Sequence, residues 1–273
     1  MKKILLVLLY FPIICLGQFL PIEKSAYDIK QTSDGGYIVI GSTGEKGGYD
    51  RFKKLYIYYG LSLFKIDKNG NMLWEKHPQQ ENRFDEFEST RCISVQICDD
   101  GGFIIVGHTF RKISRTSTNI DACLIRTDKN GNLLWQKTYG GDKSDYARSV
   151  QICDDGGFIV TGTTDGDGYL FKTDKNGNLL WEKKTGEIRL EEIQICDDGG
   201  FIIAGKTLTY KLNQFKTCLI RTDSNGNKLW SRKFYSDGIG TSLKICDDGG
   251  FIVTSDKGYL FKTDKNGNEL WKK

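Results

Sequence analysis

An all-β fold made of five repeats is what this 273-residue sequence predicts, on three observations. Close copies of one phrase, TDKNGNLLW, end at Trp74, Trp135, Trp181, Trp230 and Trp271, so every tryptophan sits in it. A second phrase alternates with the first: SDGGYIVIG at 33–41, DDGGFIIVG at 99–107, DDGGFIVTG at 154–162, DDGGFIIAG at 197–205 and DDGGFIVTS at 247–255. Proline is scarce (3) and glycine abundant (32), with short β-branched or aromatic runs between, the pattern of many strands joined by tight turns.

Each repeat reads strand, DGG turn, strand, variable connection, strand, NGN turn, strand. In the third repeat the strands fall at about 148–153, 158–163, 168–173 and 178–184. Asp-Gly and Asn-Gly place residues that tolerate positive φ where the chain reverses. D-K-N-G-N admits either a two-residue Asn-Gly turn or a three-residue Lys-Asn-Gly loop with Gly177 left-handed, and the two imply different registers.

Neither strand face is consistently polar. In GYLFKTD, Tyr169 and Phe171 fall on one side and Leu170 on the other. Strands apolar on both faces belong in sheets covered on both sides. Four-stranded sheets repeated at about 40 to 65 residues and stacked around an axis form a β-propeller. The expectation is therefore one propeller of five four-stranded blades over 18–273, with units at about 25–76, 90–138, 147–184, 190–233 and 240–273. The ring would close without exchanging a strand between its ends. An open β-solenoid, or a propeller with a further blade, is the alternative. The repeated tryptophan is expected to bury its ring against the adjacent blade and so set the spacing.

LFKTDKNGNLLWEK resembles the tryptophan-docking repeat of quinoprotein-type, PQQ-like propellers. Asp174, Gly177 and Trp181 match that repeat, but the turn is one residue shorter and its Ala and Thr are missing. DGG-(Phe/Tyr)-Ile-x-x-Gly followed by TDKNGNxxWxKTYGG is more similar to an uncharacterised repeat of secreted and surface propellers in bacteria and archaea. That likeness covers nearly all the chain after residue 17 and implies fold and location, with no activity attached. Quinoprotein dehydrogenases of this resemblance carry eight blades and adjacent cysteines at the quinone. This chain has five units and no neighbouring cysteines, so no cofactor is expected.

The N-terminus reads MKKILLVLLYFPIICLGQFL: two lysines, an apolar run from Ile4 to about Leu16, then Gly17-Gln18. That order is a secretory signal, cut after Gly17, and the run is short for a membrane span. An uncleaved anchor, or lipidation at Cys15, are the other readings. The expected product is exported, to the periplasm, the cell surface or beyond, with no transmembrane segment once the signal is removed. Net charge is +4, and +2 without Lys2 and Lys3, on surfaces of mixed sign. No basic stripe suits a phosphate backbone, so a nucleic-acid partner is not expected.

Seven cysteines follow Cys15. Four of them (Cys98, Cys153, Cys196, Cys246) share one repeat position and two (Cys123, Cys218) share another. Equivalent repeat positions are held apart, so buried thiols are expected rather than bridges.

Candidate chemistry is thin. Asp174, Asn176 and Asn178 alternate like the start of a calcium loop, but the glycine comes too early and Trp181 stands where further ligands belong. The paired acids Asp99-Asp100, Asp154-Asp155, Asp197-Asp198 and Asp247-Asp248 read as turn punctuation, since a catalytic pair should be unique to one site. Asp142 with Asp145, and Asp165 with Asp167, are the non-repeated acid pairs. His77 and His108 read as solvated or satisfied loop residues, with no metal site expected. The glycine clusters Gly44, Gly47, Gly48 and Gly166, Gly168 lie between strands.

Because the strands alternate in direction, DGG and NGN turns fall on one rim, and the connections that vary fall on the other. Binding belongs on that variable rim. Its candidate contacts are Tyr49, Arg51, Tyr58, Tyr59, Arg83, Phe84, Phe87, Arg115, Tyr139, Tyr146, Tyr210, Phe215 and Tyr235, since Tyr and Arg join apolar area to polar ends. The expected role is a non-catalytic module that binds a protein or acts as a scaffold. The alternatives are a lectin-like propeller and an enzyme acting on polysaccharide.

Overall fold

The computed structural model describes residues 24–49, 55–78, 87–112, 118–186, 188–209 and 214–273. Within them twenty strands form five four-stranded antiparallel sheets, each from one contiguous stretch of chain. The first holds β1 (Lys24–Gln31), β2 (Tyr37–Tyr49), β3 (Leu55–Ile66) and β4 (Met72–Lys76), and the second β5 (Phe87–Ile97), β6 (Phe103–Lys112), β7 (Thr118–Thr127) and β8 (Leu133–Tyr139). The third holds β9 (Asp145–Ile152), β10 (Phe158–Thr164), β11 (Asp167–Thr173) and β12 (Leu179–Lys184). The fourth holds β13 (Ile188–Ile195), β14 (Phe201–Thr209), β15 (Gln214–Thr222) and β16 (Lys228–Asp237), and the fifth β17 (Gly240–Ile245), β18 (Phe251–Ser255), β19 (Leu260–Thr263) and β20 (Glu269–Lys272). The third repeat matches its expected strands to within a few residues.

Turn chemistry decides the register. At DKNGN, Asp174 N–H donates to Asn178 O (2.9 Å), Gly177 N–H donates to Asp174 O (3.0 Å) and Gly177 sits at φ 74°. This is the three-residue loop with a left-handed glycine, and the DGG turn repeats it around Cys153 and Gly157.

Four hydrophobic clusters hold the sheets together, each shared by a consecutive pair. Ile38, Ile40, Leu61 and Leu63 of the first sheet meet Val95, Phe103, Ile105 and Ile125 of the second, and the later joints repeat the arrangement. The tryptophan before each joint leans on the aromatic ring after the next DGG, with centroids 6.2–6.5 Å apart for Trp74–Phe103, Trp135–Phe158, Trp181–Phe201 and Trp230–Phe251. The same rings cover Gly131, Gly177, Gly226 and Gly267, where a Cβ would come within 2.6–2.8 Å of the indole. Each of these four NGN glycines therefore answers two demands, the left-handed turn and the face of its neighbour's tryptophan. Trp271 departs from the expectation that every tryptophan is covered: it is 39% exposed.

The variable connections between second and third strands are largely strand in three of the sheets. β2 runs on to Tyr49 and β3 starts at Leu55, so Gly44, Gly47 and Gly48 lie within a hairpin arm and not between strands. The run Leu55-Tyr56-Ile57-Tyr58-Tyr59 has the β-branched and aromatic make-up that pairs in this way. β6–β7 and β14–β15 are extended likewise. Gly166 sits in a two-residue Asp165-Gly166 turn, both residues at positive φ, and Gly168 lies in β11 against the Ile188 carbonyl. All seven cysteines after Cys15 are free thiols, half-buried or buried, and burial pushes Cys123 and Cys218 up to about 12.

Candidate functional site

The aspartate of each NGN turn and the second acid of each DGG turn are occupied by their own turns. Asp174 Oδ1 accepts the N–H groups of Asn176 (2.8 Å) and Asn178 (2.7 Å), and its Oδ2 accepts Asn178 Nδ2 (2.8 Å). Asp67, Asp128, Asp223 and Asp264 do the same. In the other turn the second acid accepts a glycine N–H and pairs with a cation from the third strand. The pairs are Lys65–Asp34 (2.9 Å), Arg126–Asp100 (2.6 Å), Lys172–Asp155 (2.6 Å), Arg221–Asp198 (2.6 Å) and Lys262–Asp248 (2.7 Å). Hydrogen bonds hold these carboxyls below the usual range. The turn reading stands for the second acid of each pair, and its cation, two residues before the aspartate of the NGN turn, is a repeat in its own right.

The opposite rim is built differently. On β6, His108 is buried (6% exposed) in a strand rather than in a loop, and its Nδ1 has no hydrogen-bond partner. Its ring meets the edges of Tyr146 (5.0 Å) and Phe110 (5.5 Å). Burial first, then the guanidinium groups of Arg148 and Arg91, lower its pKa to about 4, so the ring is neutral at physiological pH. Arg148 stacks over Tyr146 (5.9 Å), and its Nε, itself without a hydrogen-bond partner, lies 3.7 Å from Glu191 on β13. Lys206 on β14 pairs with Glu191 (3.0 Å) and lies over Phe215 (5.4 Å), while Arg91 on β5 lies over Tyr27 (5.4 Å). Four sheets thus contribute to one connected patch: Tyr27 from the first, Arg91 and His108 from the second, Tyr146 and Arg148 from the third, and from the fourth Lys206 and Glu191, the carboxylate that Arg148 and Lys206 share. His77, by contrast, is satisfied by Ser62 (3.1 Å), Leu61 O (3.3 Å) and Glu75 (3.3 Å).

Beside this patch a polar cleft of about 220 Å³ is lined by Asp121, Thr138, Tyr139, Gly140 and Gly141. Asn119 Nδ2 bridges Asp121 Oδ1 and Gly141 O (3.1 Å each), and Gly141 N–H donates to Asp145 Oδ2 (2.9 Å). Asp145 Oδ1 is buried without a partner. Of the non-repeated acid pairs, Asp145 is thus committed to its loop while Asp142 is exposed, and Asp165 is paired with Lys143 (3.1 Å).

Three expected contacts are described with side chains. Tyr146 is half-buried at the centre of the patch, and Phe215 is exposed at its margin. Tyr139 is a packing residue rather than a free contact: its ring stacks on Phe171 (4.8 Å) and its hydroxyl donates to Gly177 O (2.7 Å). Tyr49, Tyr58, Tyr59, Phe87 and Tyr235 lie on strands, with side chains outside the described residues. Arg51, Arg83, Phe84, Arg115 and Tyr210 fall outside the described residues altogether. A further repeated surface feature went unread. The leucine before each tryptophan (Leu73, Leu134, Leu180, Leu229, Leu270) is 55–59% exposed on the outer strand.

No family profile matches the sequence, and no curated protein is similar to it. Solved structures are similar in fold. A Bacteroides caccae protein of unknown function shares 13% identity over 93% of each chain, with a TM-score of 0.53. The Dos1 propeller shares 10% identity over 91% of this chain and 69% of its own, with a TM-score of 0.56. The dihydro-heme d1 dehydrogenase NirN shares 12% identity over 91% of this chain and 56% of its own, with a TM-score of 0.51. These likenesses group the chain with β-propellers at the level of fold, across neighbours that include an enzyme and a protein of unknown function.

Proposed function

We propose that this chain is an exported, non-catalytic five-bladed β-propeller that binds a protein partner at or beyond the cell surface through its variable rim. The observation that carries the reading is the patch of Arg91, His108, Tyr146, Arg148 and Lys206. It joins half-buried aromatic area to three cationic side chains, among the described residues, on a scaffold whose NGN-turn aspartates are engaged in their own turns. Such a surface suits an acidic partner face, with charge setting the rate and orientation of encounter. Export rests on the lysine-led apolar N-terminus.

The test displays residues 18–273, which hold every described strand, to an array of extracellular protein domains and, in parallel, to a glycan array. Wild type is compared with Arg148→Glu and Tyr146→Ala. Protein binding that weakens tenfold or more in Arg148→Glu, and that falls with added salt, supports the proposal. Glycan binding alone, lost in Tyr146→Ala, would replace it with the lectin reading. Protein binding indifferent to both variants would remove the patch from the interface.

A further inference from the structure

Four joints between sheets are sealed in one way, and the two faces left over are the two halves of the same joint. On the forward face of the first four sheets, Ile38, Ile104, Ile159 and Ile202, with Leu63, Leu124, Leu170 and Leu219, are fully buried. Their counterparts on the fifth sheet, Ile252 and Leu260, are half-buried, and Trp271 is 39% exposed. On the receiving face of the second to fifth sheets, Phe103, Phe158, Phe201 and Phe251 are buried and the NGN glycine lies under an indole. On the first sheet the counterparts Tyr37 and Val39 are half-buried. Gly70 is exposed, with no atom within 4 Å of the position a Cβ would take.

We infer that these faces join two copies of this chain head to tail, Trp271 of one copy seating on the Gly70–Tyr37 face of the next. The occupant is argued from the chain itself. The same tryptophan, glycine and aromatic already make four interfaces within it, so each of these less buried faces has its complement on every other copy. Among the described residues, β1 and β17 do not pack on each other as β1 does on β5, β5 on β9, β9 on β13 and β13 on β17, so the fifth pair of surfaces lacks its joint. The contact is heterologous, because the two faces differ, and therefore propagates into a ring or a filament.

Size-exclusion chromatography with light scattering tests this on residues 18–273 over a wide concentration range. Gly70→Asn fills the receiving face with a residue that tolerates the left-handed turn, and space above it is open, so the fold is retained. Trp271→Ala removes the donor. Wild type should self-associate, and each variant alone should weaken association by about thirtyfold or more, the cost of losing a central aromatic anchor. Mixing the variants should restore dimers and nothing larger, since one intact face of each kind remains. A wild-type chain monomeric at every concentration overturns the inference. If Trp271 emission then shifts on Gly70→Asn, the two faces close on each other within one chain. Association that persists in both variants overturns it too, and moves the contact elsewhere.

Discussion

His108 stands where the neighbouring repeats place Ser42, Thr163 and Lys206, just after the glycine of the DGG-F/Y-I-x-x-G phrase. A lone histidine in an apolar strand carries little signal by itself. The usable signal was the break in the repeat, because a position that varies among otherwise matched strands is not fixed by the packing. Its protonation has a definite cost. The neutral ring is buried between Tyr146 and Phe110 beside two guanidinium groups, and its pKa is about 4 against 6.5 in an open chain. Between those values the unfolded chain binds the proton and the folded chain does not. Stability is therefore full above about pH 6.5 and declines as pH falls toward 4, by on the order of 2 to 3 kcal/mol. Urea unfolding of wild type should show this slope, and His108→Thr, which copies Thr163, should flatten it. An unchanged slope in the variant would assign the pH dependence to other groups.

The hairpin is the scale at which the sequence was most legible. Asn176 and Gly177 announced a reversal, and the fivefold repetition made it secure; only the loop length was open, since both registers satisfy the same letters. Geometry chose the form in which Asp174 binds three donors of its own turn. The long β2–β3 arm was less legible, because a tyrosine-rich run flanked by glycines reads equally as loop or strand until its partner is known. The turn acids have a shared consequence. Their carboxyls titrate below the ordinary value, so the stability they add is present above about pH 4 and is lost as pH falls through their folded values. Within one blade, Arg126→Lys should unfold at nearly the same urea concentration as wild type, since Lys65, Lys172 and Lys262 make the same pair elsewhere. Arg126→Met should cost about 1 kcal/mol, because Asp100 stays solvated while the buried guanidinium bonds are lost. A loss above about 3 kcal/mol would mean that the pair organises more than its own turn.

For the molecule as a whole, the joints between sheets decide how five hairpin pairs become one body. The repeat placed a tryptophan in every unit, but it wrote the same phrase at Trp271, and sequence alone does not say which copy is left more exposed. That difference supplies its own control. Gly177 and Gly70 both sit at positive φ in the same turn, yet only Gly177 lies under an indole, that of Trp135. Gly70→Ala in dilute protein should therefore cost only the backbone strain, about 1 kcal/mol. Gly177→Ala should cost that and the displaced ring as well, and Trp135→Ala about 2 to 4 kcal/mol for a half-buried side chain. In the Trp135→Ala background the ring is gone, and Gly177→Ala should fall back to the cost seen at Gly70. The double-mutant cycle should thus show coupling of about 1 kcal/mol or more between positions 135 and 177. Equal costs for Gly70→Ala and Gly177→Ala, with additivity in the cycle, would show that the indole does not bear on that turn and that the joints are held by the strand faces alone.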